Sequence, residues 1–263
     1  MRTPRLAGLG LAATATAALA LAGCANGDAT PTAPSAPATS AGVTASASTG
    51  TADPAAVEAL TKATSQLGTS SFKITATSGT GFKLAGAIDP AKGVGTADLK
   101  ATGTNADLSL KTLLIEKDLY LQVPGFTKAG TWTHVDVARL PEGANVGLRP
   151  GEIDPVNTSN LLGSATDVHA TGANSYAGTL DLTKAAGLAG VSQVTVDNTQ
   201  AQNVPFTAGL DDQGRLSVLT IQIPNAQPLE VLYTDYGVPV TAARPAASEI
   251  TEAPDSLYQS LGS

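Results

Sequence analysis

The chain has 263 residues, with 15 basic side chains against 22 acidic ones for a formal charge of −7, and it is 42% hydrophobic but only 4% aromatic. This acidic balance argues against nucleic acid as a partner and against an electrostatic grip on anionic lipid headgroups. Cys24 is the only cysteine, so there is no internal disulfide and stability has to come from an apolar core.

Arg2 and Arg5 make a cationic start, Leu6 to Leu21 an apolar middle, and Ala22-Gly23 a pair of small residues suited to a peptidase. The apolar run is shorter than the roughly 20 residues that cross a bilayer core, which favours an export signal over residues 1–23 rather than a permanent span. Leu21-Ala22-Gly23-Cys24 resembles the lipobox of bacterial lipoproteins. The resemblance implies cleavage after Gly23 and lipidation of the Cys24 sulfur, leaving a palmitate-type anchor on the extracytoplasmic face of the cell membrane. An unmodified buried thiol is the alternative. One acyl chain holds only weakly at about 0.8 kcal/mol per buried methylene, so a lasting anchor needs two or three chains. Removing residues 1–23 takes away two arginines and no acid, leaving 13 basic against 22 acidic side chains and a formal charge of −9.

After Cys24, residues 25–53 are almost wholly Ala, Thr, Ser, Pro and Gly, with Asp28 and Asp53 the only charges, so residues 24–53 read as a lipidated residue and a coreless tether. As a flexible coil such a tether spans roughly 30 Å and keeps residues 54–263, one domain by length, near the membrane.

Asp53-Pro54 is an N-cap followed by a first-turn proline, and Val57, Leu60, Thr64 and Leu67 recur at helical spacing. From residue 70 the period becomes two: Phe72, Ile74 and Ala76, then Phe82, Leu84, Gly86 and Ile88 beyond a Ser78 to Gly81 turn. Asp89-Pro90 and Lys92-Gly93 precede a strand over 94–101. Ala106, Leu108, Leu110, Thr112 and Leu114 alternate next, and Leu119, Leu121 and Val123 follow a Lys117-Asp118 turn. Asp154-Pro155 signals a short helix through about Leu162, and Tyr176 to Leu182 opens a second set of strands similar in plan to the first. A hairpin follows over 204–210 and 216–223, with Leu229 to Tyr233 and Val238 to Ala242 closing the sheet and a helical turn at Leu257-Tyr258. Many short strands and few helices predict an α+β fold built on one large, curved antiparallel sheet partly covered by helices.

Residues able to carry chemistry are sparse. His134 and His169 stand outside any metal spacing, and the nucleophile-elbow, phosphate-loop and dinucleotide fingerprints are absent, so neither enzyme activity, metal nor cofactor is expected. Asp211-Asp212-Gln213-Gly214 suits a hairpin turn better than calcium, and Gly237 in Asp235-Tyr236-Gly237 supplies a permissive backbone. A hydrolase built from scattered carboxylates would require two acids converging in a cleft. Trp132 serves equally as a ligand-headgroup contact or as a core plug.

Taken in order, the lipobox, the opening helix, Gly86-Ala87-Ile88-Asp89-Pro90, Leu119-Tyr120-Leu121 leading to Trp132, Tyr176 to Leu182, and Tyr233 to Val240 resemble the actinobacterial LppX/LprG-type lipoproteins, similar in fold to the LolA and LolB carriers. The resemblance covers residues 54 to about 260. It implies an antiparallel half-barrel with helices packed on its concave face around an apolar cavity. The function it implies is binding and transfer of an acylated (glyco)lipid of the envelope, with a lipid exporter or acceptor protein as partner. Candidate cavity residues are Phe72, Ile74, Phe82, Leu84, Leu108, Leu110, Leu119, Leu121 and Trp132. The same side chains also suit a filled core, in which case the protein is a non-catalytic envelope interaction or scaffold module.

Overall fold

The computed structural model describes residues 52–102, 107–125, 127–140, 148–151, 153–183 and 201–261. The expected signal, Cys24 and nearly all of the tether lie outside these residues, as does Ala106. The fold is α+β, a twelve-stranded, mostly antiparallel open sheet with few helices among the described residues.

Helix α1 (Pro54–Ser65) starts where Asp53 accepts the Ala55 N–H, and a 3-10 turn over Gln66–Gly68 ends it. Its buried stripe is Ala56, Leu60, Ala63, Thr64 and Leu67; Val57, expected in that stripe, faces solvent because Ala56 and Ala63 make the close approach instead. Strands β1 (Phe72–Ser78), β2 (Phe82–Asp89), β3 (Val94–Thr102), β4 (Asp107–Ile115), β5 (Asp118–Gln122) and β6 (Trp132–Val135) form a meander. Its turns are set by residues that tolerate left-handed backbone. Gly93 has φ +64° after the Asp89-capped Pro90–Lys92 turn, and Glu116 has φ +58° between β4 and β5.

The second run begins with helix α2 (Thr158–Gly163), which starts later than the Asp154-Pro155 signal suggests because Asn157, at φ +55°, is its N-cap. Asp154 instead accepts the N–H groups of Val156 and Thr158 and shapes the turn leading in. Strands β7 (Thr166–Gly172), β8 (Ser175–Leu180), β9 (Val204–Leu210), β10 (Leu216–Ile221) and β11 (Leu229–Thr234) follow. Strand β7 was not expected. It lies at the sheet edge with Val168 its only buried residue, so it carries no alternating signal.

The sheet order is β12-β6-β5-β4-β3-β2-β1-β11-β10-β9-β8-β7, where β12 is Ile250–Glu252. Two meanders therefore join where the last strand of the second, β11, pairs with the first strand of the first, β1. Residues 238–242 are not the closing strand expected. β1 already has partners on both sides, and Pro239 and Pro245 withhold donors from a ladder, so residues 235–246 run as a strap outside the strands. The chain then returns to the edge, where β12 pairs parallel with β6 and helix α3 (Asp255–Leu261) follows. Tyr258 anchors α3: its hydroxyl accepts the Asp136 N–H at 3.0 Å, and the Arg139 guanidinium lies over its ring at 4.1 Å.

Candidate functional site

Because side chains alternate along each strand, the register assigns them to two faces. Across β1, β2, β3 and β4, Ile74 sits opposite Gly86, Gly86 opposite Ala97, and Ala97 opposite Thr112. The same row system puts Phe72, Ile74, Leu84, Leu99, Leu110, Leu114, Leu119 and Leu121 on one face. From the second meander it adds Val231, Leu219 and Phe206, all buried in the same apolar cluster. Helices α1 and α2 contribute Leu60, Leu161 and Leu162 to this cluster, and the 3-10 turn after α1 adds Leu67.

Close approach on this face depends on two glycines. A Cβ at Gly86 would stand 2.7 Å from the Thr96 carbonyl and 3.2 Å from Ile74, and one at Gly178 would stand 2.8 Å from the Phe206 ring. The sheet thus brings together eight of the nine candidate cavity residues. Six are buried, whereas Phe82 is half-buried and Leu108 is 46% exposed. Phe82, Ala101 and Leu108 pair in one row, so the apolar face runs out to an exposed aliphatic rim at that end of β2, β3 and β4. Trp132 is not with them. In the β5–β6 register Thr133 and Val135 share the face of Leu121 and Leu119, which puts Trp132 and His134 on the other side.

Within the covered face lies a buried polar group that the sequence did not flag. The Tyr233 hydroxyl on β11 hydrogen-bonds the Thr158 hydroxyl on α2, and Asp154 Oδ2 accepts the Thr158 N–H at 2.8 Å. Asp154 as a residue keeps some exposure, but its carboxyl sits in dry surroundings. Burial raises its pKa above the usual carboxylate range despite the N–H bonds that favour its charge. Tyr233 is pushed well up by burial and by the nearby Asp154 charge, which makes its phenol a donor and not a nucleophile. Among the described residues no group of three or more His, Cys, Asp or Glu could hold a metal.

The opposite face carries Lys73, Thr75, Lys83, Ala85, Asp98 and Lys111, partly roofed by the 235–246 strap. Ser71 fixes one end of the strap, its hydroxyl donating to Val238 O at 2.8 Å and its carbonyl accepting the Gly237 N–H. Arg244 fixes the other, donating to the Asp118 carboxylate and, at 2.7 Å, to the Tyr120 hydroxyl. Between strap and sheet a groove of about 330 Å³ opens, lined among others by Ala85, Thr96, Asp98, Lys111, Leu113 and Trp132. Sequence reading singled out Trp132 but not the groove, because Asp98 and Lys111 reach it only through the β3–β4 register and a strap expected as strand.

His134 lies beside Asp118 (Nε2 at 3.3 Å) and Glu252 (Nδ1 at 3.1 Å), while the Asp136 carboxylate accepts the Ala138 N–H. His169 is exposed, its Nδ1 2.7 Å from the Asp167 carbonyl. The Asp211 carboxylate is held by its own turn, accepting the N–H groups of Gln213 and Arg215 and the Arg215 Nε. Partial burial opposes its charge, but these bonds outweigh it and lower the pKa. Gly237 has φ +78° and Asp235 +55°, the permissive backbone expected there, and Asp235 pairs with Lys73 at 2.7 Å. No family model matches the chain, and no curated protein matches it significantly.

Proposed function

We propose that this chain is a membrane-anchored envelope lipoprotein of the LppX/LprG type, a half-barrel whose helices pack on its concave side. In this reading it binds the acyl chains of a (glyco)lipid and passes the lipid on, with no bond made or broken. The observation that carries the reading is the aliphatic face shared by both meanders, which ends at Phe82 and the exposed Leu108 instead of at a polar edge. A rim of that kind gives hydrocarbon a way onto the covered face. A chain of about a dozen methylenes gains on the order of 10 kcal/mol when removed from water, before ordering costs, so such a site needs no polar motif. The lipobox Cys24 and the tether after it support placement beside the membrane that supplies the lipid.

The second reading, a scaffold module with a filled interior, is favoured by the complete burial of Leu84, Leu119 and Leu121 within one cluster. Vesicle exchange separates the two. Cys24→Ser protein, which lacks the anchor, is incubated with donor vesicles holding a fluorescent diacyl lipid and then with acceptors. A carrier moves the label saturably, and Leu108→Asp slows it severalfold; a scaffold leaves the label in the donors.

A further inference from the structure

The groove on the outer face is separate from the proposed acyl site, since it uses the opposite side of the same strands. Its least satisfied atom is Asp98 Oδ1, which is buried and accepts no hydrogen bond. Asp98 Oδ2 is 4.0 Å from Lys111 Nζ, beyond direct hydrogen-bonding distance. The Asp98 side chain as a whole is 41% exposed, so its carboxylate is open to the groove and can accept a hydroxyl there. Beside it stand the half-buried ring of Trp132, the only tryptophan in the sequence, and the small walls of Ala85, Ala242 and Ala243.

We propose that this groove is a saccharide site taking a neutral sugar ring, with Trp132 as the stacking wall, Asp98 as the hydroxyl acceptor and Lys111 as the donor. A sugar ring matches all three at once. Its C–H groups present slightly positive hydrogens to the negative indole face, while its hydroxyls donate to Asp98 and accept from Lys111. The Asp98 and Lys111 charges cancel, so the groove draws neither anions nor cations. A hydrocarbon would strip water from both charges without replacing it, and an organic cation stacked on Trp132 would meet Lys111. About 330 Å³ is at the small end for ligand pockets and suits one or two rings. The ring is either a free sugar or the headgroup of a glycolipid, because both offer the same chemistry.

A single tryptophan makes the site its own reporter. The full chain, in a detergent without a sugar headgroup, is titrated with maltose while Trp132 emission is followed. The expected result is a saturable change that Asp98→Ala weakens about tenfold or more, equivalent to about 1.4 kcal/mol. Lys111→Gln, on an exposed side chain, should also weaken it. Should maltose be silent, vesicles containing a glucosylated diacyl lipid that shift the emission where plain phosphatidylcholine vesicles do not would support the headgroup source. Silence toward both sugars, meaning that water alone fills Asp98, would overturn the proposal. So would a shift with plain vesicles, a response to choline but not to sugar, or a maltose response equal in Asp98→Ala.

Discussion

The two faces of this sheet are built by the same strands and differ only in which alternate residues they present. On β1 the covered face shows Phe72, Ile74 and Ala76 and the other shows Lys73, Thr75 and Thr77; on β2 Leu84 and Ile88 back onto Lys83 and Ala85. One face meets two helices and joins a single apolar cluster, while the other meets a proline-bearing strap and keeps water, charge and a groove. A period of two therefore allocates chemistry as well as burial, and one sheet can offer hydrocarbon and polar surfaces a strand's thickness apart.

If that division is real, the largest effects belong to the covered face. Phe206→Ala should cost about 3–5 kcal/mol in urea unfolding, whereas Thr75→Ala, behind the same sheet, should stay within about 0.5 kcal/mol. Equal costs would break the comparison. Gly178→Ala should cost about 1–3 kcal/mol, since its new Cβ would stand 2.8 Å from Phe206 and 2.9 Å from the Thr166 carbonyl. Gly68→Ala, with open space around it, is the control and should not destabilise the fold.

Two carboxylates sharpen the contrast through pH. Asp154 is raised by burial, so its contribution to stability is present in acid and is lost as pH climbs from about 3.8 through its raised value. Asp211 is lowered by its turn, so its contribution is present at neutral pH and is lost as pH falls from about 3.8 through its lowered value. Unfolding midpoints across this range should therefore show Asp154→Asn gaining on the parent as pH rises and Asp211→Asn gaining as pH falls. The smallest effect belongs to the strap. Arg244 is exposed and solvent screens its ion pair with Asp118, so Arg244→Gln should leave the melting temperature nearly unchanged while hydrogen exchange over 238–246 speeds up.

Strands such as Phe72–Ser78 and Val204–Leu210 were legible in sequence because one face is buried and the other wet, which writes an alternation into the chain. Strand β7 was not, since an edge strand with one buried residue has no alternation to write. β12 owes its pairing with β6 to distant chain, which local pattern does not encode. Val238 to Ala242 carried an apolar signal but not a free sheet edge to use it on. The candidate site divides the same way. Eight aliphatic or aromatic positions were found from their period, while Asp98, Lys111 and the strap above them converge only through register.

The central claim is that the covered face accommodates hydrocarbon from outside the chain. Native mass spectrometry of Cys24→Ser protein, purified without detergent from the cells that produce it, tests this most directly. The account predicts a population heavier than the polypeptide by the mass of one acylated lipid, released on unfolding and reduced by Leu108→Asp. A single species at the polypeptide mass, unchanged after incubation with lipid vesicles, would contradict it.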